Sequence, residues 1–187
     1  MMKKKKNIIV MTMLMICMFV LSACGGTVER WAYVHEPETA VLSFKSNGKA
    51  IYKDKEYQYT KDDSYIHLKG KGDIEDQDLR YIVDGDKMIL YESSTYQRKD
   101  GSSEDGVFGV WVQDNGWEFQ FTKDGKFSEE NIFYGHYSLD KNNRTIKLMY
   151  DEPLEDAILY YELNGNELTI EYPWPMTKAV EEDSAKK

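Results

Sequence analysis

Cysteine is close to absent: the 187 residues contain two, Cys17 and Cys24. No thiol follows Cys24, which excludes an internal disulfide, a cysteine-bound zinc and a cysteine nucleophile from the rest of the chain. That region must be held by its core alone. Positive charge is also scarce, with 24 basic against 33 acidic residues and a net charge of −9. Phosphate contacts need a basic surface, so nucleic acid is excluded as a partner. Helical periodicity is missing beyond residue 24. Histidine occurs three times, with neither the His-Glu-x-x-His nor the Gly-x-Ser-x-Gly arrangement. No catalytic residue, metal set or cofactor is assigned, and the chain reads as non-enzymatic.

Charge is absent from residues 7–23, after Lys3, Lys4, Lys5 and Lys6. The apolar run 8–21 is shorter than the roughly 20 residues a spanning helix needs. A basic start, a short apolar run and small residues at its end form an export signal over 1–23. The run closes in Leu21-Ser22-Ala23-Cys24, which resembles the lipobox of bacterial lipoproteins. The resemblance implies cleavage before Cys24 and a diacylglycerol on its thiol, holding the protein on the outer face of the cell membrane. Two acyl chains anchor firmly where one does not. Cys17 leaves with the leader. So do four lysines and no acid, which takes the net charge from −9 to −13. A domain this acidic is repelled by an anionic membrane surface, so the lipid does the holding.

The remaining 164 residues suffice for one well-buried domain. Their apolar residues alternate with polar ones, as at Leu42-Ser43-Phe44, Ile66-His67-Leu68, Phe119-Gln120-Phe121 and Leu168-Thr169-Ile170. This is the period of a half-buried strand. Between the runs stand Asn47-Gly48, Asp84-Gly85, Asn115-Gly116, Asp124-Gly125 and Asn164-Gly165. Such pairs suit type I′ hairpin turns between consecutive antiparallel strands. A shift of 80 places Trp31 on Trp111, Ile66 on Ile146, Leu68 on Leu148, Leu79 on Leu159 and Tyr81 on Tyr161. Phe44 and Gly48 meet Phe121 and Gly125 at a shift of 77. The expected organisation is therefore a lipidated cysteine and tether (24–30), a first β-meander (31–92), a polar linker (93–107), a second meander (108–175) and a disordered tail (176–187).

Each meander is expected to supply about five strands, leaving one bare face and two open edges. Two copies solve both problems by closing into one up-and-down barrel of about ten strands, or by facing each other as a two-sheet sandwich. Gly109-Val110-Trp111 at the start of a meander resembles the Gly-x-Trp opening of lipocalins. The strand rhythm is similar to the lipocalin-like domains of bacterial lipoproteins. The resemblance implies a core role for the tryptophan, plugging one end of a barrel.

The candidate sites are few. His67 and His136 correspond to Lys147 and Glu56 across the repeat, which places them on the solvated face. The acid pairs Asp62-Asp63, Glu129-Glu130, Asp151-Glu152 and Glu155-Asp156 read as charged turns, because neighbours on a strand point to opposite faces. Trp31 and Trp111 match each other and are expected in the core. Trp117 and Trp174 have no match, their counterparts lying near Ala40 and at Ser94. Trp117 follows a turn, and Trp174 sits between Pro173 and Pro175 just beyond the last expected strand. Exposed aromatics at loop ends stack on ligands; the other reading of Trp174 is a lid folded back on the barrel end. The reading that follows is a lipid-anchored binding protein for a small apolar or amphipathic ligand, with Trp117 and Trp174 as ligand contacts. The alternative is an interaction module for another envelope protein, working through a sheet edge or a tyrosine-rich face.

Overall fold

The computed structural model describes residues 26–99, 106–151 and 154–180. The leader expected at 1–23 and Cys24 lie outside the described residues, as do 181–187. Every regular element among the described residues is a strand. In the first half these are β1 (Thr27–Tyr33), β2 (Ala40–Lys45), β3 (Lys49–Tyr52), β4 (Lys55–Lys61), β5 (Tyr65–Lys69), β6 (Gln77–Asp84) and β7 (Lys87–Arg98). The second half has β8 (Gly109–Val112), β9 (Glu118–Phe121), β10 (Lys126–Glu129), β11 (Phe133–Asp140), β12 (Thr145–Tyr150), β13 (Ala157–Asn164) and β14 (Glu167–Lys178). The offset of 80 carries β6 onto β13 and β7 onto β14 residue for residue.

Consecutive strands pair antiparallel, and β14 returns to β1, so one fourteen-stranded sheet closes in a ring. A second contact crosses this ring. β7 and β14 pair over eleven positions, from Glu167↔Gln97 to Thr177↔Lys87. The far edge of β7 holds β6 along its first residues and β8 at its last two. The far edge of β14 holds β13 at its start and β1 at its end. The crossing ladder therefore divides the ring into two circuits. One contains β1 to β6, the first part of β7 and the last part of β14. The other contains β8 to β13, the last part of β7 and the first part of β14.

Each circuit encloses its own core. Trp31, Leu42, Phe44, Ile66, Leu68, Leu79, Met88, Leu90 and Met176 fill the first. Trp111, Phe119, Phe121, Ile146, Leu148, Leu159, Leu168 and Ile170 fill the second. These are the alternating residues that the strand period selects, and burial follows the pattern along most strands, while β1, β7 and β10 break it with consecutive buried residues. Trp31 and Trp111 are buried as expected, at 2% and 0% exposure. Each carries a cation on its ring: Lys178 Nζ stands 3.7 Å from the Trp31 centroid, and Arg98 Cζ 4.2 Å from that of Trp111. Both cations come from the end of the other half's long strand, so each half reaches into its neighbour's core.

Several boundaries differ from the sequence reading. Each half has seven strands where five were expected, because β3, β8, β9 and β10 have only four residues each. The first part of the linker assigned to 93–107 is strand: Ser93 to Arg98 continue β7, and their polar outward side chains hid the alternation. The tether assigned to 24–30 already includes β1 from Thr27, and the tail assigned to 176–187 begins inside β14. Trp174 lies in mid-strand and not beyond the last one. Its flanking prolines are tolerated because the carbonyl of Pro175 accepts from Val34 N–H on the edge away from β7. The nitrogens of Pro173 and Pro175 face that same edge, in the gap between β13 and β1, where no ladder donor is needed. The hairpins form at the Asn/Asp-Gly pairs, but only the glycine takes positive φ, as at Gly85 (59°). Two successive positive φ values, the type I′ signature, fall instead at Lys53 and Asp54 (46° and 64°) and at Glu130 and Asn131 (54° and 55°).

Candidate functional site: a cleft between the two circuits

The ribbon of β7 and β14 runs through both circuits. Its even-numbered residues face inward along its whole length. Met88, Leu90 and Met176 point into the first core, and Tyr96, Leu168 and Ile170 into the second. The residues between, Glu92, Ser94, Tyr172 and Trp174, have the same parity and lie where the two circuits meet, with Tyr172 packed against the second core. They floor a cleft of about 1010 Å³. The first circuit supplies one wall through Tyr52, Lys53 and Tyr57, and the second supplies the other through Trp117, Glu129 and Tyr150.

Each wall is organised around a carboxylate. Glu92 Oε1 accepts from Tyr33 Oη at 2.6 Å and Tyr52 Oη at 2.8 Å, and Glu92 Oε2 accepts from Lys53 Nζ at 2.7 Å. On the opposite wall Glu129 Oε2 accepts from Tyr150 Oη at 2.6 Å, and Oε1 accepts from the Trp117 indole N–H at 3.2 Å. Tyr150 and Tyr172 hydroxyls meet at 3.2 Å. Trp174 joins the walls, its ring 5.5 Å from Tyr33 and 5.6 Å from Tyr172.

The electrostatics of the walls differ. Glu92 has a lysine. Glu129, the last residue of β10, is 6% exposed and has only neutral donors. Burial raises its pKa above the ordinary carboxylate value, against the lowering effect of Tyr150 and Trp117. Burial first, then the adjoining Glu129 charge, pushes the Tyr150 hydroxyl far above the usual tyrosine range. Burial and Glu92 do the same to Tyr52. These tyrosines are therefore neutral donors at physiological pH and not proton carriers.

Trp117 and Trp174, singled out for lacking a repeat partner, line this one cleft and are 39% and 36% exposed. Sequence reasoning missed Glu129, which was assigned to a charged turn. A signal existed: the shift of 77 that aligns Phe44 with Phe121 sets Glu129 on Tyr52, an inward position. The back of the same ribbon is a clasp. The Arg80 guanidinium lies over the Tyr160 ring at 3.9 Å and over Tyr65 at 4.7 Å, with Nε 2.7 Å from Glu171. This joins β6 of one circuit to β13 and β14 of the other.

His35 and His136 are exposed and His67 is half-buried. His67 Nδ1 lies 2.6 Å from Asp78 and Nε2 3.4 Å from Asp62. Hydrogen bonds donated to the Asp78 and Asp62 carboxylates raise its pKa. The shallow groove beside it is smaller, about 460 Å³. Among the described residues, no group of three or more His, Cys, Asp or Glu is arranged to hold a metal ion.

Against this geometry, comparison with protein families, with curated proteins and with solved structures returns no match.

Proposed function

We propose that the protein is a lipid-anchored, non-enzymatic binding protein facing outside the cytoplasm, and that the inter-circuit cleft is its binding site. The observation that carries this reading is the convergence of Trp117 and Trp174 on one concave surface with the carboxylates of Glu92 and Glu129. Binding sites are concave, largely aromatic or apolar, and carry a few placed polar groups. Each circuit of eight strand segments is read as a small barrel whose interior is just wide enough for side chains to fill. The lipocalin-like image of a ligand inside one large barrel is thereby replaced by a ligand held between two filled ones.

The test is a ligand-observed NMR screen of a chemically diverse soluble library, using the full chain in neutral detergent. Compounds that bind the protein and are lost in the Trp117→Ala/Trp174→Ala double variant support the cleft. Hits that survive in the double variant, or an absence of hits, would overturn it. Anchoring is tested separately. Cys24→Ser should move the protein from the membrane fraction to a soluble or unprocessed form. A variant that is cut at the same place yet stays membrane-bound refutes lipidation.

The second reading, an envelope-protein interaction module, is favoured by one specific observation. Ile132, Phe133 and Tyr134 are exposed by 68%, 37% and 52% in succession, and Phe133 lines the cleft. A run of exposed apolar residues on a rim suits a protein partner.

A further inference from the structure

We propose that the ligand of the cleft is an organic cation, with an ammonium or guanidinium head seated against Glu129 and its carbon skeleton among the aromatic walls. The proposal rests on the cleft being the binding site and adds the class of ligand. It starts from the asymmetry of the two buried carboxylates. Glu92 is neutralised by Lys53 at 2.7 Å. Shifted by 77, Lys53 falls on Glu130, whose carboxylate accepts from Glu118 N–H, so the second wall has no counterpart of the lysine. Among the described residues, no lysine, arginine or histidine forms an ion pair with Glu129.

A carboxylate taken from water without a counter-charge is costly, and natural structures pair or neutralise it. The two hydrogen bonds it accepts here are both from neutral groups. An ionised carboxylate has about four lone-pair sites, so further donors can be accepted. Glu129 lines the cleft even though it is 6% exposed. Any group that supplies the missing charge must therefore come through the cleft. The remaining lining favours the same class of ligand. Glu75, Asp76 and Asp78 also line the cleft, against two lysines, Lys55 and the Lys53 already paired with Glu92. Tyr150, Tyr172, Trp117 and Trp174 supply aromatic rings, whose faces attract cations. An inorganic cation fits poorly, because a metal ion needs several oxygen ligands and this wall offers one carboxylate.

The test follows the indole N–H resonances of Trp117 and Trp174 by NMR, with the full chain in neutral detergent. Butylammonium and agmatine are the cationic probes. Butan-1-ol is the uncharged counterpart of the first, and maltotriose and calcium chloride represent the competing classes. Both cations should shift the two cleft indoles and leave those of the buried Trp31 and Trp111 unmoved. Butan-1-ol should bind at least about tenfold more weakly than butylammonium. Glu129→Gln should reduce cation affinity by at least about tenfold, read at Trp174, with the melting transition retained. The comparison of butylammonium with butan-1-ol needs no variant, so it holds even if Glu129→Gln folds poorly. Equal binding of the alcohol and the amine overturns the proposal, as does a cleft that answers only to maltotriose or only to calcium. Those outcomes leave the cleft as a binding site. Library hits that survive in the tryptophan double variant would instead remove the cleft itself.

Discussion

Two tryptophans of the same size answer to different demands. Trp111 is fully buried, its indole N–H donating to the Val107 carbonyl at 2.8 Å. Trp117 is 39% exposed and donates to Glu129. Trp111→Ala should cost about 3–5 kcal/mol, as for a buried aromatic. Trp117→Ala should cost about 1 kcal/mol, the worth of one hydrogen bond and partial burial. Urea melts of both variants measure the gap, and equal losses would place Trp117 in the core. Glu129 yields a prediction with a definite sign. Its folded pKa is raised by burial, so the folded state prefers the protonated acid. Its ionisation therefore destabilises the fold as pH rises through the raised value. Near neutral pH Glu129→Gln should be at least as stable as the parent chain. Any advantage should shrink on acidification and vanish below the ordinary glutamate value of 4.5. Parallel melts from pH 4 to pH 8 decide it. A loss of stability in the variant at neutral pH would mean that the charged form is the one the fold prefers. No sequence rule flags such a residue, because a buried glutamate and a turn glutamate are spelled alike. Only its alignment with Tyr52 sets it inward.

At the level of strands, the alternating runs were legible wherever one face is buried and the other wet. That is why the repeat, the tryptophan pair and most core residues were readable. The long ladder was not. Ser93 to Arg98 have polar outer residues, and Pro173 and Pro175 look like strand breakers. Both features are explained only by a neighbour 80 residues away. β7 hides its polar stretch by pairing with β14, and β14 keeps its prolines where its outer edge lies between the β13 and β1 ladders. The convergence of Trp117 and Trp174 was illegible for the same reason, since their meeting depends on the crossing ladder and not on local pattern. The Glu129 wall also has a packing limit. A Cβ built on Gly135 in β11 would lie 2.1 Å from the Met149 carbonyl oxygen and 2.8 Å from the Phe127 ring. The first of these is backbone and cannot step aside. Gly135→Ala should therefore force β10, β11 and β12 apart and cost about 1–3 kcal/mol or more. Its lowered melting temperature, measured by circular dichroism, is the check. A variant as stable as the parent would show that β11 and β12 can separate freely.

Across the whole molecule the two halves exchange the ends of their long strands. Arg98 caps the tryptophan of the second circuit and Lys178 that of the first. Neither core is complete without its neighbour. Residues 108–187 expressed alone should be poorly folded or should dimerise to replace the missing strand. Sedimentation and thermal melting of that fragment test this, and a cooperative transition from a monomer would contradict it.

The ladder register gives this exchange a centre. Glu92 pairs with Tyr172, and 172 is also where the offset of 80 carries 92. The pair therefore sits on a local twofold axis. In a homodimer of one half, the residue at that position would face its own twin, since such an interface is isologous. Two glutamates would oppose each other there as like charges. Joining the halves in one chain lifts the restriction: the axis can carry a carboxylate on one strand and a phenol on the other. The same freedom gives one wall a lysine and leaves the other wall's acid uncompensated. The cleft thus has two unequal walls, which the axis of a strictly symmetric dimer could not have.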